Sequence, residues 1–167
     1  VREYEDAGVI LLQTGRRCGK IQAQKLAFES THAPIAAITD ATVLAPPRAV
    51  RTLAAYFEDP KVGAVSAAIT VRNRSANYLT RMAQFLFDMQ NAQKLGESSL
   101  DSAGGLFGQF SLVRRQALRD FKTDVIYEDR EFGITLRKSG YRALLEPSVK
   151  VEYYAAESLD DFSRQKQ

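Results

Sequence analysis

An α/β sandwich, with a largely parallel sheet covered on both faces, is the fold this sequence predicts. Three observations point to it. Short apolar runs alternate with helix-period segments through the first seventy residues, as in strand–helix–strand units. The 167 residues suffice for one core, since domains of ~100–150 residues are the commonest. An apolar fraction of 45% with 26% charged residues is a soluble, globular balance, and no segment nears the ~18 uninterrupted apolar residues of a membrane span.

Each element has its own signal. "GVILLQT" (8–14) is an apolar run between Gly8 and Gly15, which predicts a buried strand. "KIQAQKLAFES" carries Ala23, Leu26 and Ala27 at helical spacing, predicting a helix from about Gly19 to Ser30. "APIAAITDATV" predicts a strand ending at Asp40. "PPRAVRTLAAYFEDP" then starts a helix with Pro47 near its first turn and Val50, Leu53, Ala54 and Phe57 along one face. "VGAVSAAITV" (62–71) reads as a third strand. "NYLTRMAQFLFDMQNAQKL" reads as a long amphipathic helix with Leu79, Met82, Leu86 and Met89 on one side. The Gly- and Ser-rich "GESSLDSAGGLFGQFSLV" predicts a loop leading into a strand near Phe110 to Val113, and "RRQALRDF" a short helix. After "TDVIYEDREFGITLRKSG", a short helix closed by Gly140, "YRALLE" and "VKVEYY" predict two strands split by a turn at Pro147. "SLDDF" opens a final helix with a Ser-x-x-Asp capping pattern.

Several function classes fall away at this level. The net charge of +3 is modest and its basic residues are interspersed with acidic ones, which argues against a nucleic-acid binder. One cysteine, Cys18, allows neither an internal disulfide nor a Cys-rich metal site and favours a reducing compartment. The single histidine, His32, precedes Ala-Pro in a predicted surface turn, so no Ser-His-Asp machine is available. "GRRCGKI" fails as a phosphate loop: three residues, not four, separate Gly15 from Gly19, and Ile21 stands where a hydroxyl would hold Mg²⁺. With no initiator methionine and no signal peptide, both ends read as cuts through a longer chain, so that residues 1–167 form a single partial domain.

Four features remain as candidate chemistry. Lys20 opens a helix beside Gly19, where a cation and backbone N–H groups meet a phosphate or simply solvent. Asp40 ends an apolar strand, where ligands of open α/β sheets gather; it is either a turn residue or a ligand to a hard divalent cation. Asp129 begins a helix, as a dipole-stabilised carboxylate or as a general base, and Glu128 beside it either orients that carboxylate or faces solvent. Gly104, Gly105 and Gly108 around Phe107 allow close backbone approach to a ligand, or form an ordinary flexible loop.

In order along the chain, these pieces resemble the family-2 glycosyltransferases, the inverting group that includes cellulose, chitin and hyaluronan synthases. "GRRCGKIQAQKLAFEST" resembles their Gly-Lys-x-x-Ala-x-Asn segment, and "IAAITDATVLAPPRAVRTLAAYFEDPKVGAVSA" their Asp-x-Asp strand with the helix and strand that follow. "GGLFGQFSLVRRQAL" resembles the acceptor-site loop and its Arg-Arg-x-Ala-Leu turn. The most specific block, "IYEDREFGITLRKSGYRALLEPSVKVEYYAAESLDDFSRQKQ", resembles the Glu-Asp motif through to the start of a Gln-x-x-Arg-Trp motif.

The resemblance implies a GT-A-like three-layer sandwich with a mostly parallel central sheet, and transfer of a hexose with inversion from a nucleotide-diphosphate sugar, a UDP-sugar by family tendency. The acceptor is a hydroxyl of a carbohydrate or lipid-linked chain. It also implies roles: Asp129 as general base with Glu128 beside it, Lys20 and Asp40 on the donor nucleotide, Asp40 on a divalent metal (Mg²⁺ or Mn²⁺), and Gly105, Phe107, Gly108 and Gln165 at the acceptor. Polysaccharide synthesis on the cytoplasmic side of a membrane, held there by segments outside this chain, belongs to the same expectation.

Three departures qualify it. Thr42 replaces the second carboxylate of Asp-x-Asp, weakening the metal site, and Gln24 stands near a usual Asn. The family's first strands are expected upstream of Val1, leaving the sheet incomplete at its N-terminus, and the Arg-Trp of the last motif is expected beyond Gln167; the isolated chain is therefore expected to be inactive. The rival reading is a non-catalytic binding or regulatory module that keeps the scaffold without the metal chemistry, and Thr42 is the residue that favours it.

Overall fold

The computed structural model describes residues 2–101, 104–118 and 128–165. Its centre is β3 (Val62–Val71), nearly every residue of which is buried. Such a continuous apolar run belongs to a strand covered on both faces. β3 pairs antiparallel with β4 (Phe110–Arg114) over Ala64–Ser66 and parallel with β5 (Arg142–Tyr153) along its whole length. β1 (Ile35–Thr39) lies antiparallel outside β4, and the two-residue β2 (Val43–Leu44) lies antiparallel outside β5, giving the order β1-β4-β3-β5-β2. The sheet is mixed: β1, β3 and β5 run one way, β4 and β2 the other.

The helices are α1 (Lys20–Glu29), α2 (Ala49–Ala55), α3 (Tyr78–Ser99), α4 (Glu128–Lys138) and α5 (Leu159–Gln165). Two apolar clusters form, one on each face of the sheet. Leu53 of α2 and Phe57 pack with Val65, Ala67 and Ile69, while Phe132 and Leu136 of α4 pack with Ala64, Val113 and Ala143. Alternate β3 residues therefore serve opposite layers, as the period-2 geometry of a strand requires. The α/β class and the three layers expected from the sequence are present.

Several elements differ from expectation. Residues 8–14 form no strand: Val9 to Leu12 are exposed, Ile10 at 78%, and no described strand pairs with them. An apolar run becomes a strand only where a neighbour takes up its N–H and C=O groups. The two strands expected around Pro147 are one strand, whose pairing jumps from Ala67↔Glu146 to Ala68↔Lys150; Pro147, without an N–H, sits in that irregularity. In α2 the buried positions are Ala49 and Leu53, while Val50 is exposed. α3 continues through Gly96 to Ser99, beyond the predicted loop start, and "RRQAL" contains a 3₁₀ turn over Arg115–Leu118, with the rest of that predicted helix outside the described residues. Of the apolar side read for α3, Met82, Leu86 and Met89 are exposed and Leu79 is half-buried.

Asn77 caps α3 reciprocally with Thr80, each backbone N–H bonding the other's side chain at 3.1 Å. Ser158 caps α5 through Asp161, as the Ser-x-x-Asp pattern predicts. No helix among the described residues is long and apolar enough to cross a membrane.

Candidate active site

Strand β1 ends at Thr39, and the next residue, Asp40, is held by its own N–H on the carbonyl of Gln109 at 3.0 Å. That bond fixes Asp40 at the carboxyl end of β1, directly beside the loop that feeds β4. Lys20, the first residue of α1, reaches across so that Nζ lies 3.0 Å from Asp40 Oδ1; both side chains are partly exposed.

Asp129 comes from α4, whose apolar cluster also takes Phe28 of α1. It is the second residue of α4, its Oδ1 accepts from the Arg130 N–H at 2.8 Å, and its carbonyl accepts from the Leu106 N–H at 3.0 Å. The helix head is locked to the glycine loop by backbone contact. A Cβ on Gly133 would lie 2.5 Å from Gly105 Cα, and one on Gly105 would lie 3.2 Å from Arg130 Cα. No side chain fits at Gly133, and this closeness sets the height of Asp129 above the sheet. The far end of α4 closes on Gly140, at φ +79°, whose N–H bonds the Arg137 carbonyl at 2.9 Å.

Lys20 and Asp129 meet at Gly108. A Cβ there would sit 3.5 Å from Lys20 Nζ and 3.6 Å from Asp129 Oδ2. One glycine is thus flanked by a cation from α1 and a carboxylate from α4, and the cation is paired with Asp40. Of the sequence candidates, Lys20, Asp40, Asp129, Gly105 and Gly108 come together. Phe107 contributes differently: its ring is in the core at 3% exposure, and its backbone is pinned by two buried hydroxyls. Its N–H donates to Ser66 Oγ at 3.1 Å, its carbonyl accepts from Ser111 Oγ at 2.7 Å, and the hydroxyls bond each other at 2.7 Å. The side chains of Glu128 and Gln165 lie outside the described residues. Asn73 and Asn77 anchor the approach to α5, bonding Ala155 and Glu157.

Two nearby residues had no sequence signal of their own. Tyr153, at the end of β5 and edge-on to Phe87, has its phenol pKa raised by burial and by the charge of Asp40. Lys94 of α3 donates to the Gly105 carbonyl at 3.0 Å; burial lowers its pKa, against the opposing pull of Glu97 and Asp129. Gly133 did carry a signal, since a glycine inside a helical pattern costs ~1 kcal/mol relative to Ala.

A divalent metal finds few ligands. Among the described residues no group of three or more His, Cys, Asp or Glu is placed to hold an ion, and at the end of β1 the carboxylate is that of Asp40. Thr42 is exposed in the turn closed by the Val43 N–H on the Asp40 carbonyl at 3.2 Å. This donor set fits a hard cation held by one carboxylate and completed by ligand phosphates, the Mg²⁺-like mode, and not an all-protein cage.

A sequence profile described as "Glycosyl transferase family group 2" matches residues 35–167. An N-acetylglucosaminyltransferase of Azorhizobium caulinodans is 23% identical over 96% of this chain and 43% of its own length. A hyaluronan synthase of Streptococcus pyogenes is 30% identical over 60% of this chain and 24% of its own. A mannosyltransferase from Pyrobaculum calidifontis, solved in complex with GDP-Man and Mn²⁺, shares the fold at TM-score 0.73 and 24% identity, over 98% of this chain and 45% of that one. The chain spans less than half the length of each of these three proteins.

Proposed function

Because the chain belongs to glycosyl transferase family group 2, we propose that it supplies the reacting centre of an inverting transferase that moves a sugar from a nucleotide-diphosphate donor to an acceptor hydroxyl. The observation that carries this reading is the grouping of Lys20 and Asp129 against Gly108, with Asp40 ion-paired to Lys20. A donor diphosphate at the end of β1 meets the Lys20 ammonium, while an acceptor over Gly108 presents its hydroxyl to Asp129.

The reaction is a single displacement. Asp129 takes the proton from the acceptor hydroxyl as its oxygen attacks the anomeric carbon, and the bond to the diphosphate breaks on the opposite side, inverting the centre. Lys20 offsets the charge that grows on the departing diphosphate. A divalent ion held by Asp40 adds charge stabilisation at the same phosphates when bound; the Mn²⁺ in the fold neighbour supports that role. Backbone at Gly105 and Gly108 lines the acceptor side. Glu128 beside the base and Gln165 near the acceptor or pyrophosphate complete the proposal, as do a UDP-sugar donor, a carbohydrate or lipid-linked acceptor and membrane attachment through segments outside this chain.

The experiment is Asp129→Asn in the intact enzyme, with turnover and donor binding measured separately. Turnover is expected to fall by about 10²–10⁴-fold with binding of UDP and Mn²⁺ retained, because only the proton acceptor is lost. Asp40→Asn is expected to weaken that binding instead. Wild-type turnover in Asp129→Asn would sink the base assignment. A wild-type protein that binds UDP yet transfers nothing would favour the binding-module reading, which the single carboxylate beside Thr42 supports.

A further inference from the structure

The loop that carries Gly105 and Gly108 is held from three elements. Ser66 of β3 takes the Phe107 N–H, the Asp129 carbonyl of α4 takes the Leu106 N–H, and α3 supplies two side chains one turn apart. Lys94 Nζ donates to the Gly105 carbonyl at 3.0 Å, and Glu97 Oε2 accepts from the Gly104 N–H at 3.2 Å. Gln93 orients that carboxylate, its amide donating to Glu97 Oε1 at 2.7 Å.

Lys94 is an expensive way to make such a bond. Lys94 is partly buried, with its ammonium 5.0 Å from the Phe107 ring centroid, so its charge is less hydrated than a surface lysine's. A charge in that setting is costly unless neighbours use it. The neighbours are a carbonyl dipole, the ring face and two carboxylates, Glu97 on its own helix and Asp129 on α4, with Lys20 beyond Asp129 across Gly108. The ammonium therefore joins the inner face of α3 to the loop and to the field around Asp129.

We infer that Lys94, in its charged form, is a positioning residue that fixes the Gly105 peptide against α4 and thereby sets where an acceptor hydroxyl meets Asp129. Its catalytic consequence rests on the reading of Asp129 as the base; its hold on the loop does not. Neutral Lys94 donates more weakly and no longer balances the two carboxylates, so the clamp loosens as the ammonium loses its proton. Burial places that loss below the usual lysine range.

The test uses Lys94→Met and Lys94→Arg in the intact enzyme, each first checked for cooperative unfolding. In Lys94→Met, kcat is expected to fall about tenfold or more, with a raised acceptor KM and a donor KM close to wild type, because the displaced loop is on the acceptor side. The wild-type rate is expected to fall at alkaline pH, and Lys94→Arg, which stays charged, to carry that fall to higher pH. A lysine that only packs would not move this limb. Hydrogen exchange at the Leu106 and Phe107 amides, followed in both variants, reads the clamp without reference to catalysis and is expected to quicken in Lys94→Met. Unchanged exchange, or an alkaline limb unmoved by Lys94→Arg, overturns the inference. If Asp129→Asn keeps its turnover while exchange quickens in Lys94→Met, the base assignment fails and the clamp stands.

Discussion

Helices α3 and α4 meet the same loop with opposite polarity. α4 turns Phe132 and Leu136 into the core and leaves Arg130, Arg137 and Lys138 outside. α3 sets mostly polar groups inward: Thr80, Gln84, Asn91 and Ser98 lie against the sheet beside Phe87, while Tyr78, Met82, Phe85 and Met89 face outward, Tyr78 at 66% exposure. The cause is the sheet. β4 pairs with β3 only over Ala64–Ser66, and among the described residues no strand pairs with the far half of β3 on that side. Asn91 fills in, accepting from the Ile69 N–H at 3.0 Å and donating to its carbonyl at 2.8 Å, and Gln84 accepts from the Val71 N–H at 2.7 Å. α3 acts there as a substitute strand built of side chains. The need to satisfy backbone groups outweighs the preference for burying apolar ones, because an unpartnered buried donor or acceptor costs ~1–3 kcal/mol. Amphipathic periodicity reveals two faces; what lies beneath decides which one is inside.

That contrast can be broken at either helix. The larger effect belongs to α4. Leu136 is fully buried among Ala64, Val113 and Phe132, so Leu136→Ala is expected to cost ~2–5 kcal/mol by denaturant unfolding. A cost under about 1 kcal/mol would mean that α4 is not held by its apolar face. On α3 the destabilising substitution is apolar. Asn91→Leu strips Ile69 of both side-chain partners and is expected to cost about 1–3 kcal/mol, although it adds an apolar group to an inward position. If Asn91→Leu were neutral or stabilising, the substitute-strand account would fail.

The same distinction explains what was legible in the sequence. β3 and α1 are read closely from local pattern, because a continuous apolar run and a helical period are local properties. Asp40 at a strand end and Asp129 at a helix head were locatable for the same reason, and with Lys20 they form the group that the fold brings together. The features that local pattern does not show depend on distant partners. Residues 8–14 look like a strand but have no described neighbour to pair with, and the ring of Phe107 turns to the core because Ser66 and Ser111 hold its backbone. Lys94 gave no signal because its contacts, the Gly105 carbonyl and the Phe107 ring, lie on a loop beyond its own helical pattern.

The smallest expected effect tests the outward face itself. Met89 is 56% exposed and sits on a stripe with Met82 and Phe85. Replacing it by Gln keeps length and helix propensity while removing apolar character. If that face meets only water in this chain, Met89→Gln changes unfolding free energy by no more than about 0.5 kcal/mol, the range of ordinary surface substitutions. A loss above about 1 kcal/mol would show the thioether packed against something in solution, making α3 a helix with two occupied faces. Asn91→Leu would keep its cost in either case, since its partner is β3. Comparing the two variants on one protein therefore separates the demand of the bare strand from any demand on the opposite side.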